Sequence, residues 1–89
     1  MSVERHLLTL PELGVGDRPV VVSVWLVEVG GEVTEGDRLL EVLAGEVTID
    51  LPSPASGVLI ETLVEEEEPL IVGQPLALIE SAADEHADE

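Results

Sequence analysis

Apolar and polar positions along this chain alternate in short, turn-punctuated runs, and nowhere do they recur at the three-to-four spacing of a helix. From Val20 to Val29 the run Val-Val-Val-Ser-Val-Trp-Leu-Val-Glu-Val is rich in β-branched residues. It predicts a strand packed on one face and partly covered on the other, halted at Gly30-Gly31. After the polar stretch Glu32 to Arg38, Leu39 to Leu43 resumes as a strand. Val47, Ile49 and Leu51 then alternate with Thr48 and Asp50, the period of a half-buried strand, until Pro52-Ser53-Pro54 removes ladder donors. Residues 39–51 therefore read as a hairpin with its tip at 44–46.

The second half repeats the first. Sliding the sequence by 37 places sets Val21-Val22 on Val58-Leu59, Leu26-Val27-Glu28 on Leu63-Val64-Glu65, Val33 on Leu70, Gly36 on Gly73, Leu39 on Leu76 and Val42 on Ile79. In an apolar-rich chain some of this arises by chance, but the turn glycine also falls on a turn glycine. Two similar β-modules of about four strands, one from each half, are expected to pack face to face about a pseudo-twofold axis. The fold class is thus all-β, a flattened barrel or sandwich of two four-stranded antiparallel sheets. The domain is expected over residues 1–80, and 81–89, Ser-Ala-Ala-Asp-Glu-His-Ala-Asp-Glu, reads as a disordered acidic tail.

Composition narrows the function classes. Twenty acids against three arginines give a formal charge of −17 on 89 residues, which repels nucleic-acid phosphate and anionic lipid and favours basic partners. No apolar run approaches the roughly 20 residues of a membrane helix, and the start, Met1 to His6, lacks a basic region followed by a long apolar one. A cytoplasmic protein with neither nucleic-acid nor membrane partners is the expectation. The absence of cysteine excludes a disulfide framework, a thiolate nucleophile and a zinc–thiolate site. With Trp25 the only aromatic, the core is aliphatic, and a chain this short supports a single modest core.

Several segments, in order and spacing, carry a family likeness. Leu10-Pro11-Glu12-Leu13-Gly14 opens it. Val24 to Gly30, with Trp25, then Val33-Thr34-Glu35-Gly36-Asp37 and Leu40-Glu41-Val42, continue it. Thr48-Ile49-Asp50-Leu51-Pro52-Ser53-Pro54 with Ser56-Gly57-Val58-Leu59 is its most specific piece, and Val72 to Glu80 closes it. From about Leu8 to Glu80 the chain resembles the lipoyl domains of 2-oxo acid dehydrogenase acyltransferases and, more broadly, the biotinyl and lipoyl attachment superfamily. That resemblance implies a hammerhead-like carrier fold holding lipoate or biotin on one lysine at the hairpin tip, usually within Asp-Lys-Ala or Met-Lys-Met. Counted back from Pro52-Ser53-Pro54, those three places hold Gly45, Glu46 and Val47, and all three basic residues are arginines, Arg5, Arg18 and Arg38. Since the cofactor amide needs a primary amine as nucleophile, the expected cofactor is none. The family commonly has Glu-Gly where Pro19-Val20 stand, and a Gly-Asp turn where Glu65 to Pro69 stand. The resemblance also makes the loop Gly14 to Pro19 a surface by which a decarboxylase component distinguishes its carrier.

Other candidate chemistry is weaker. Glu65 to Glu68 invites a calcium reading, but consecutive acids on a strand end point to opposite sides, so a solvated turn is expected. His6 and His86, near the two termini, would adjoin if the ends share a sheet, though no cysteine or ordered acid completes a metal set. Ser23, Ser53 and Ser56 lack a nucleophile-elbow context, and neither histidine completes a triad. Trp25 reads as a packing residue at the waist.

The sequence thus points to a non-enzymatic, unmodified lipoyl-like domain that binds a protein, with a 2-oxo acid dehydrogenase or carboxylase component as the natural candidate. Glu46, Ala44, Asp17 and Arg18 are the expected partner-binding residues, with Glu46 otherwise a solubilising turn residue. The alternatives are a swinging-arm carrier that has lost its lysine, and a small acidic structural subunit.

Overall fold

The computed structural model describes residues 3–82. Among the described residues eight strands follow one another without a helix: β1 (Val3–Thr9), β2 (Val20–Trp25), β3 (Glu32–Val33), β4 (Arg38–Ala44), β5 (Val47–Pro52), β6 (Gly57–Thr62), β7 (Pro69–Leu70) and β8 (Pro75–Ala82). They form two four-stranded antiparallel sheets, in the orders β1-β8-β6-β3 and β5-β4-β2-β7. This is the expected all-β sandwich.

The internal repeat holds at the level of individual backbone pairs. β2 pairs with β4 through Val21↔Leu43, Val22↔Val42 and Val24↔Glu41, with a register shift between Val22 and Val24. Thirty-seven residues on, β6 pairs with β8 through Val58↔Glu80, Leu59↔Ile79 and Glu61↔Leu78, with the same shift between Leu59 and Glu61. Leu26 N–H donates to Leu39 O at 2.8 Å, and its twin Leu63 donates to Leu76 O at 2.8 Å. A bulge adds one residue to a strand and strengthens its twist, so its recurrence gives the two sheets the same local curvature.

The strands are not divided between the sheets by sequence half, as the repeat suggested. β3 leaves the first half to pair with β6, and β7 leaves the second to pair with β2. The turns before them carry the chain across the sandwich, where Gly30 N–H donates to Leu59 O and, in the twin turn, Glu67 N–H donates to Val22 O, both at 2.7 Å. For the same reason β2 ends at Trp25 rather than running to Val29. The apolar residues beyond it, Leu26 and Val29, are exposed in the crossing segment.

β1 takes in the second-half sheet the place that β5 holds in the first, so the described ends lie side by side, Val3 opposite Ala82. β8 runs two residues past the boundary expected at Glu80, because Ser81 and Ala82 pair with Glu4 and Val3. The rest of the expected tail lies outside the described residues. The core between the sheets is aliphatic: Leu10, Leu39, Leu40, Leu51, Leu59, Leu76, Ile79, Val22 and Val42 are fully buried. Each such side chain contributes about 1.5–3 kcal/mol over leaving it in water. Trp25 packs against this core, and its indole N–H donates to Val64 O at 3.0 Å, tying the two halves together. The two sheets therefore form a packed mount for the β4–β5 hairpin, the longest hairpin among the described residues.

Candidate functional site at the hairpin tip

The β4–β5 hairpin turns through Gly45 and Glu46, one residue tighter than the expected 44–46 tip. Gly45 has φ 64, while Glu46 keeps the ordinary negative sign, the pattern of a two-residue hairpin turn with glycine first. Such a turn matches the strand twist and holds the second residue outward, and Glu46 is exposed.

Two of the separately expected segments meet here. Gly45 N–H donates to Pro19 O at 3.3 Å, so the connection between β1 and β2 buttresses the tip. The stem of Arg18 lies over Gly45, its Cδ only 3.1 Å from where a Cβ at 45 would stand. Arg18, Gly45, Glu46 and Val47 line one shallow hollow. Among the described residues Arg5 pairs with Glu80 and Arg38 with Asp50, each at 3.2 Å, while Arg18 has no ion pair with any described residue. The tip thus presents a carboxylate and a guanidinium around one hollow, the guanidinium without an ion pair among the described residues.

Asp17 is exposed in the same loop but does not line the hollow. Ala44 must be removed from the expected contact set, because it is fully buried, 0% exposed. The alternation that points Leu40 and Val42 inward carries Ala44 inward with them.

The remaining polar candidates have structural partners. Ser23 Oγ donates to Glu41 Oε2 at 3.0 Å, Ser53 Oγ to Ala55 O at 2.6 Å, and Ser56 Oγ accepts from Glu35 N–H at 2.8 Å. His6 Nε2 meets Ser81 Oγ at 3.0 Å and Glu4 Oε1 at 3.7 Å. Both approach the same ring nitrogen, so the acid does not orient the imidazole from behind as a relay requires. His86 lies outside the described residues. Glu65 to Glu68 fold into a turn in which Glu68 Oε1 accepts from Glu65 N–H at 2.9 Å. Among the described residues no group of three or more His, Asp or Glu side chains converges on one point.

The family model described as the biotin-requiring enzyme domain, which covers biotin and lipoyl attachment, matches residues 6–79. The chain belongs to the biotinyl/lipoyl attachment family. It is 37% identical over 73 residues to the dihydrolipoyllysine-residue acetyltransferase component of the pyruvate dehydrogenase complex of Corynebacterium glutamicum, covering 82% of this chain and 11% of that one. It is 32% identical over 89 residues to the lipoamide acyltransferase component of the branched-chain alpha-keto acid dehydrogenase complex of Bacillus subtilis, covering 100% of this chain and 20% of that protein. The chain therefore spans at most a fifth of the length of these relatives. A solved single-chain, multi-domain long-chain acyl-CoA carboxylase shares the fold, with TM-score 0.70 over 94% of this chain and 8% of that one, at 17% identity.

Members of this family carry lipoate or biotin on a lysine. The 89 residues of this lipoyl-like domain contain no lysine, and the outward residue of its hairpin turn is Glu46. A carboxylate cannot act as the nucleophile that forms an amide with the cofactor's own carboxyl group, so the residues at this tip do not fit either group.

Proposed function

We propose that this chain is an unmodified lipoyl-like domain that works by binding a protein, without catalysis of its own, through the hairpin tip and the loop that buttresses it. The observation that carries this reading is the tip itself. Its turn and strand register are regular, a loop from elsewhere in the chain braces it, and the place of the cofactor amine holds an acid near an arginine that has no ion pair among the described residues. A rigid bend with two opposite charges suits recognition of a polar surface, because preorganised groups give up little freedom on binding. A component of a 2-oxo acid dehydrogenase or carboxylase system is the natural partner, given the relatives this domain resembles.

Two measurements test it. Intact mass of the chain purified from its source is expected to equal the bare polypeptide, and an added lipoyl or biotinyl mass would restore the carrier role. Gly45→Asp/Glu46→Lys/Val47→Ala is expected to become a substrate for a lipoyl ligase that ignores the parent. Aspartate tolerates a positive φ better than most residues, and at 45 it would lie against the Arg18 stem. A correctly folded variant that stays unmodified would show that the tip does not have carrier geometry.

A further inference from the structure

The turn at 71–74 and its twin at 34–37 have the same backbone. Gln74 N–H donates to Ile71 O at 3.0 Å and Asp37 N–H to Thr34 O at 2.8 Å. In each, the last side chain caps the first amide: Gln74 Oε1 accepts from Ile71 N–H at 3.0 Å and Asp37 Oδ2 from Thr34 N–H at 2.9 Å. The solvent-facing pair differs. It is Thr34-Glu35 in one turn and Ile71-Val72 in the other, with Ile71 73% and Val72 58% exposed. The polar twin shows that this turn folds without aliphatic side chains, so the exposed pair at 71–72 is not required by the turn.

Beside them lies a groove of about 180 Å³, whose opposite wall is the β1–β2 connection, with Leu13, Val15 and Arg18. Ten residues make that connection, against four between β5 and β6, so the wall of this groove is a segment longer than its counterpart in the other half. Its volume is below the roughly 300 Å³ of small-molecule sites and suits a single side chain. Arg18 lines both this groove and the hollow at the tip.

We infer that the groove receives a large aliphatic side chain of a partner protein, presented on a cationic segment. The inference rests on the reading that this domain binds a protein, and it adds the chemistry of what is bound. The charge argument selects the occupant. Glu12 and Arg18 both line the groove and offset one another, so the selection rests on Asp17, exposed in the same loop, and on the chain's net charge of −17. A second copy would bring −17 against −17, and the chain's own residues 83–89 contain no aliphatic side chain larger than alanine.

The test is amide-shift mapping on the full ¹⁵N-labelled chain with a synthetic Lys-Lys-Leu-Leu-Lys-Lys peptide as probe. Control peptides carry serine in place of leucine, or glutamate in place of lysine. Shifts are expected at Leu13, Val15, Ile71 and Val72, with Thr34 and Glu35 unmoved. The variant Ile71→Thr/Val72→Glu imports the twin turn's side chains, so it keeps the turn's hydrogen bonds, and urea unfolding checks that it folds. It adds negative charge, yet is expected to bind the leucine peptide about tenfold more weakly, the loss of a buried anchor. Equal binding of the serine or glutamate peptide, or shifts centred on Thr34 and Glu35, would overturn the inference. Glu46→Arg separates it from the tip reading: loss of binding there, with full binding by the Ile71→Thr/Val72→Glu variant, would keep the tip and remove the groove. The reverse would keep the groove and remove the tip.

Discussion

The turn at 28–31 and its twin at 65–68 cross the sandwich with matching hydrogen bonds and almost opposite chemistry. Gly31 N–H donates to Glu28 O at 2.9 Å, and Glu68 N–H to Glu65 O at 3.1 Å. At the third position Gly30 has φ 94, and Glu67 takes the same positive sign, φ 70, the only non-glycine among the described residues to do so. Sheet register, set by the buried residues on either side, imposes the backbone path, and the side chain at the bend accepts it. Where the twins diverge, as at Glu67 or Ile71-Val72, the shared backbone path does not dictate the side chain.

Twin core positions should answer alike. Leu39 and Leu76 are both fully buried and accept equivalent hydrogen bonds from Leu26 and Leu63. Leu39→Ala and Leu76→Ala are each expected to lower unfolding free energy by about 2–5 kcal/mol, a large share of the total for a chain of this size. Urea unfolding would show it, and a difference above about 1.5 kcal/mol between them would mean that one half relaxes around its cavity better than the other.

Gly57 is where the halves should part. Its twin Val20 carries a side chain in β2, whereas a Cβ at Gly57 would stand 2.2 Å from Glu80 O and 3.1 Å from Ser81 Cα. Backbone atoms of a paired strand cannot turn aside, so Gly57→Ala is expected to cost about 1–3 kcal/mol through displacement of β6 from β8. Valine at position 57, the twin's own residue, should cost more. A neutral result would show that β8 shifts freely.

Much of this was legible in the letters. Period-two runs and paired glycines marked the hairpin, the repeat and the all-β class, because one buried face forces alternation. The sheet exchange of β3 and β7 was not, since two-residue strands carry no period. The end of β2 was hidden for a related reason: Leu26-Val27-Glu28-Val29 looks like more strand, and only the crossing to the other sheet ends it. At the site, the outward place of Glu46 followed from the turn. The burial of Ala44 was also readable, as the next inward step after Leu40 and Val42. The meeting of Arg18 with Gly45 was not readable, because it joins segments whose distance in space no local pattern encodes. The groove had a signal in the 37-residue slide, where Thr34-Glu35 fall on Ile71-Val72 and polar meets apolar.

The smallest expected effect sharpens the comparison most, because two opposing contributions nearly cancel in it. A non-glycine residue at positive φ costs about 1 kcal/mol, so Glu67→Gly relieves strain in the folded chain. The same change gives the unfolded chain more freedom, which returns about 0.5–1 kcal/mol in the other direction. What tips the sum is charge, since Glu67 stands in a run of four acids whose mutual repulsion falls when one is removed. Glu67→Gly is therefore expected to stabilise the domain by about 0.5 kcal/mol at low salt and by less at high salt, where screening removes the charge contribution. The converse change, Gly30→Ala, introduces the strain without any charge and is expected to destabilise by about 1 kcal/mol regardless of salt. Urea unfolding of both at two ionic strengths decides the matter. If Glu67→Gly were neutral at every salt concentration, backbone strain and chain entropy would account for both twins, and the acidic turn would carry no electrostatic penalty of its own.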